Sequence, residues 1–150
     1  VHYPEELLDE GFDNGTMPDN VERLRQAVVG HRIVRAERRE ITMESWPGST
    51  LLETFNGLVI TLDDGTEVAL VDSYDCCAFT ELQSFLLHPD RVEHVITGVG
   101  TTDGYDTWHI FADMGDVLAL NLTWSSGNPF YYGYGFTIKV IPLRPEPDEI

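Results

Sequence analysis

The chain has 150 residues, 42% of them hydrophobic, and a formal net charge of −17. That length suits one domain with its own core, and the composition excludes a disordered chain. The charge opposes nucleic acid, whose binding rests on neutralising phosphates with Lys and Arg, and no apolar run reaches the ~18 residues of a membrane span.

The charge is unevenly spread. Residues 1–22 carry seven acids and neither Lys nor Arg. Residues 23–39 carry Arg23, Arg25, Arg32, Arg35, Arg38 and Arg39 against Glu37 alone. The rest is acidic again, with 18 acids against Arg91, Lys139 and Arg144. Acidity of this kind keeps a protein soluble and can attract a basic partner. The arginine cluster either neutralises the acidic segment before it or forms an anion-binding patch. No basic region precedes an apolar stretch, so no secretory signal is expected. The start at Val1 implies a processed or non-standard initiator.

The first elements follow from period and caps. Pro4 to Leu8 reads as one helical turn, and Gly11 to Pro18 as loop. Asp19 or Asn20 is expected to cap a helix in which Val21, Leu24, Ala27 and Val28 recur at helical spacing, with Gly30 at its far end. His31 to Ile41 predicts a strand, and Trp46-Pro47-Gly48-Ser49 a break. Leu51 to Leu62 and Thr66 to Val71 flank Asp63-Asp64-Gly65, a strong hairpin signal.

The cysteine pair, Cys76-Cys77, comes next. After it Phe79, Leu82, Phe85 and Leu86 fit helical spacing, so a second helix is expected, ended by His88-Pro89-Asp90. Val92 to Val99 predicts a strand. Asp106 to Ala112 and Val117 to Trp124 predict a hairpin across Asp113-Met114-Gly115-Asp116. Tyr131 to Ile141 predicts the last strand, and Pro142 to Ile150 an extended tail. Hairpins outnumber β-α-β crossovers, so the expected fold class is α+β, a mainly antiparallel sheet of about six to seven strands with two helices. The expected boundaries are an acidic segment over 1–19, a single domain over 20–142 and a Pro-rich acidic tail over 143–150.

Little in this pattern carries chemistry. Successive Cα atoms lie roughly 3.8 Å apart, whereas disulfides want about 4.4–6.8 Å. Adjacent side chains also diverge, which suits neither a disulfide nor a zinc clamp. A site combining one cysteine with His88, His94 or His109 is conceivable, as is a reactive thiolate at Cys77 if a helix starts there. The simpler reading is a pair of buried thiols, with Asp75 capping the following helix. The five histidines show no H-x-x-x-H spacing, and no serine sits in a nucleophile elbow. The tract from Trp124 to Phe136 places six aromatics around three glycines. It reads either as a hairpin filling the core or as a recognition surface.

Asp63-Asp64-Gly65-Thr66, Tyr74-Asp75-Cys76-Cys77, Thr107 to Phe111, Leu122 to Asn128 and Tyr131-Tyr132 together resemble a small uncharacterised domain of bacteria and their phages, notably actinobacteriophages. The likeness spans about residues 28–141. That family usually has an acid directly after the cysteines, where this chain has Ala78. A metal or reaction depending on that acid would be missing here. The resemblance implies a phage or prophage setting and imports no activity.

These readings converge on a non-enzymatic, phage-encoded accessory protein that binds a host or phage protein, with its acidic surface as the candidate contact. The expected location is the host cytoplasm. A virion component is the alternative, and a Cys/His metalloprotein or enzyme the third. No cofactor, nucleic acid or membrane is expected. The residues singled out for structure or interaction are Asp75, Cys76, Cys77, Trp108, Trp124, Asn128, Tyr131 and Tyr132.

Overall fold

The computed structural model describes residue 8 and residues 17–44, 48–75, 78–125 and 135–142. One helix and nine strands occur among them: α1 (Met17–Val28), β1 (Ile33–Glu44), β2 (Leu52–Leu62), β3 (Glu67–Val71), β4 (Ser73–Asp75), β5 (Ala78–Leu87), β6 (Gly98–Thr102), β7 (Thr107–Ala112), β8 (Gly115–Ser125) and β9 (Thr137–Ile141). The strands form two antiparallel sheets, ordered β1-β2-β3-β9 and β4-β5-β8-β7-β6. The protein is therefore predominantly β, with more strands and fewer helices among the described residues than the sequence pattern predicts. No helix among the described residues is long and apolar enough to cross a membrane.

Both sheets and α1 share one core. Met17, Val21, Leu24 and Val28 form the inner stripe of α1. Leu58, Ile60 and Leu62 alternate along β2, and Leu118, Leu120 and Leu122 along β8, as a period of two requires. Gly30 follows the helix with φ +92, so the expected far cap is present. At the near end the helix starts at Met17, ahead of the expected caps. Asn20 instead binds a distant strand. Its side-chain amide donates to the Phe136 carbonyl at 2.8 Å and accepts from the Phe136 amide at 2.9 Å. The helix is thereby pinned to the lead-in of β9.

The Asp63-Asp64-Gly65 hairpin forms as predicted. Gly65 has φ +88, Leu62 accepts from the Gly65 amide at 3.0 Å, and Asp64 accepts from the Thr66 amide at 3.0 Å. The β7–β8 hairpin also forms where expected.

The second expected helix is strand β5. Its apolar spacing is deceptive because the strand is bulged. Leu82 pairs with Leu122 while Ser84 pairs with Asn121, which leaves Gln83 as the extra residue. Before the bulge Ala78, Thr80 and Leu82 are buried, and after it Phe85 and Leu87 pack on the core. A bulge shifts the inward parity by one. The resulting interval of three from Leu82 to Phe85 imitates a helix. Asp75 therefore has no following helix to cap: it ends β4 and pairs with Ala78.

The expected strand over Val92 to Val99 is mostly loop. The Gly30 amide donates to the Ile96 carbonyl and the Ile96 amide to the His31 carbonyl, both at 2.9 Å. These bonds tie Ile96 to the end of α1, and sheet pairing begins only at Gly98.

Candidate functional site

Of the residues singled out from sequence, Cys76, Cys77, Asn128, Tyr131 and Tyr132 lie outside the described residues. Trp108 and Trp124 lie within them, and the fold brings both to one turn. Asp103, Gly104 and Tyr105 have φ +59, +65 and +71. Such backbone is uncommon for non-glycine residues and strained for a bulky one. The Trp108 indole N–H donates to the Tyr105 carbonyl at 3.0 Å, and that of Trp124 to the Gly104 carbonyl at 3.2 Å. Tyr105 meets Trp124 edge-on at 6.2 Å, and Trp108 meets Phe136 at 5.3 Å. The two tryptophans thus hold a left-handed turn. Pro18, Val21, Arg25, Val99 and Tyr105, with Leu8, line a cavity of about 250 Å³ beside it.

The arginine cluster is dispersed through the fold as fasteners. Arg23 donates to the Ile138 carbonyl at 3.1 Å, Arg25 to Val99 at 2.8 Å and Arg32 to Glu93 at 2.9 Å. Arg38 donates to the Leu82 and Gln83 carbonyls at 3.3 and 2.8 Å, across the β5 bulge. Arg39 is paired with Glu37 and Glu67, and Arg35 lies 3.9 Å from Glu37. The hydrogen bond from Arg39 holds the Glu37 carboxyl below its ordinary range.

Three histidines meet carboxylates through Nδ1: His31 with Asp63 at 3.1 Å, His94 with Asp113 at 3.0 Å and His109 with Asp116 at 2.9 Å. His31, Asp63 and Asp64 are the group whose donor atoms come close enough to share a metal among the described residues. Arg32 lies 3.7 Å from Asp63, and its charge opposes a cation there. The His31 hydrogen bond, followed by lesser contacts from Arg32, lowers the Asp63 carboxyl.

His109 has a second partner, because its Nε2 lies 2.8 Å from Thr102 Oγ1. Thr102, His109 and Asp116 come from three neighbouring strands, β6, β7 and β8. A second bulge makes this possible. Ile110 pairs with Leu118 but Phe111 pairs with Asp116, so Val117 is the extra residue. It leaves Val117 and Leu118 both buried and turns Asp116 to the face that carries His109. No spacing motif predicts this line, since its register depends on the bulge. The His109 and Asp116 side chains are 15% and 21% exposed, so bulk water reaches the line only in part.

Residues 26–138 match the family model of a domain of unknown function, DUF7448. No curated protein and no solved structure matches the chain.

Proposed function

The chain belongs to DUF7448, a domain family of unknown function, and from that premise we propose that it is a phage-encoded accessory protein acting on a protein partner by binding rather than by turnover. The single observation that carries this reading is the use made of the arginines. Five of the six in residues 23–39 donate to carbonyls or carboxylates of other segments. Donors so engaged serve the fold and are poorly placed to grip a foreign anion. The surplus of carboxylates elsewhere then dominates what a partner meets, and a basic protein face is its natural complement.

The test is capture of the partner from host lysate at low and at high salt. The expected result is one specific partner, retained at low salt and released at high salt, because exposed charge pairs are screened. Salt-insensitive retention, or no partner, overturns the electrostatic reading. Mass spectrometry of purified particles separates a host-cytoplasmic role from a virion component.

A further inference from the structure

We propose that Thr102, His109 and Asp116 form a nucleophile–base–positioning line able to transfer the acyl group of a small activated ester. This site stands apart from partner binding and does not depend on it.

The inference rests on the order and spacing of the atoms. Oγ1 of Thr102 lies 2.8 Å from Nε2 of His109, and Nδ1 of His109 lies 2.9 Å from Oδ2 of Asp116. A nucleophile within hydrogen-bond reach of a base, itself oriented by a third group, is the diagnostic arrangement for covalent catalysis. An acceptor carboxylate at Nδ1 keeps the proton of the neutral imidazole on that nitrogen. Nε2 is then the basic nitrogen, and the Thr102 hydroxyl donates to it. Were the three residues only a stitch between strands, this order would have no consequence for reactivity.

The surroundings hold the line rigid. Thr102 and His109 sit on paired strands, with Thr102 opposite Thr107 and His109 opposite Gly100. Asp116 is fixed by the bulge, and Arg91 donates to its main-chain carbonyl at 3.0 Å. The charged groups gathered around this turn are Asp116 on β8, Asp113 before it, and Arg91 and His94 from the segment between β5 and β6. Gly100 stands opposite His109, and Leu8 packs over it in the space that a Cβ there would need.

The reaction balances without a further reagent. Thr102 Oγ1 attacks the ester carbonyl carbon while its proton passes to His109 Nε2. The tetrahedral intermediate collapses with cleavage of the ester C–O bond, and His109 returns the proton to the departing oxygen. Water then attacks the acyl-threonine, again giving its proton to His109. His109 then returns that proton to Thr102 Oγ1 as the acyl C–Oγ1 bond breaks, so the acid leaves and the Thr102 hydroxyl is restored. Asp116 is a positioning residue, since it acts through the imidazole.

The experiment uses the full chain and p-nitrophenyl acetate. Nitrophenol release is followed against pH, and the acetylated residue is located by mass spectrometry. The expected result is acetyl on Thr102 and a rate that falls as the imidazole is protonated. Thr102→Val should remove the label, and Asp116→Asn should lower the rate by about a hundredfold or more. If Thr102→Val does not fold, as judged by circular dichroism, Thr102→Ser must still carry acetyl at that position. Absence of label at position 102 in the native chain, or release unchanged in folded Thr102→Val, overturns the proposal. Neither result bears on capture of a protein partner.

Discussion

The Asp72 carboxylate accepts a hydrogen bond from the Leu82 amide at 3.1 Å, joining the corner between the two sheets to the bulge in β5. Asp72 lies between β3 and β4, where the chain leaves one sheet for the other, and is only 6% exposed. Arg38 grips the carbonyls of Leu82 and Gln83 at the same bulge. The extra residue that hides the strand from sequence reading is thus held by a buried acid and an arginine.

This arrangement gives a pH-dependent expectation. Burial raises the Asp72 carboxyl, against the lowering hydrogen bond from Leu82, while Glu81 adds to the rise and Arg38 opposes it. A raised folded-state value means that folding favours the protonated form. Asp72 then contributes stability below the ordinary Asp range, about 3.9, and loses it as pH rises through its raised value. Asp72→Asn keeps an oxygen for the Leu82 amide and carries no charge. Urea denaturation should find this variant gaining on the native chain as pH rises above the ordinary Asp range, about 3.9. Asp72→Ala should instead lose about 1–3 kcal/mol by leaving the amide unpaired.

Arg38 should resist conservative replacement. Its guanidinium reaches two carbonyls at once, a geometry that an ammonium does not reproduce. Both Arg38→Ala and Arg38→Lys are expected to cost about 1 kcal/mol in the same assay. Full rescue by lysine would show that charge, not the forked donor, matters.

The two indoles should differ in worth. Trp108 is fully buried and Trp124 is not. Trp108→Phe removes the N–H from the Tyr105 carbonyl and some packed volume, at about 1–3 kcal/mol. Trp124→Phe loses a more exposed bond to Gly104 and should cost below about 1 kcal/mol. Equal losses would contradict a clamp anchored mainly from the core.

Gly98→Ala tests the packing of β6 on β7. A Cβ at Gly98 would lie 2.5 Å from Cζ of Phe111, whose ring is only 5% exposed. The ring must shift, so a loss of about 1–3 kcal/mol in thermal or urea unfolding is expected. An unchanged midpoint would mean that Phe111 has room to move.

Hairpins with local turn chemistry are legible in residue order alone. Asp63-Asp64-Gly65 works through residues adjacent in sequence, and so does Gly30 after α1. Strand β5 misleads because parity is a long-range property. Only the pairing of Ser84 with Asn121 reveals that Gln83 is extra. The loop around Ile96 misleads for a related reason, since its β-prone composition says nothing about which backbone it meets. Of the site, Trp108 and Trp124 are legible as residues worth noting. Their convergence on residues 103–105, and the line from Thr102 through His109 to Asp116, are not.

The acidic charge, the inner stripe of α1, the hairpin turns at residues 63–65 and 113–116 and membership of the family are readable from residue order, because these rest on residue types at short spacing. The balance of strand over helix, the consumption of the arginines and the assembly of the candidate catalytic line come from pairing between segments distant in the chain. The bulges in β5 and β8 set which face the residues beyond them take, and a bulge is defined by the strand across from it.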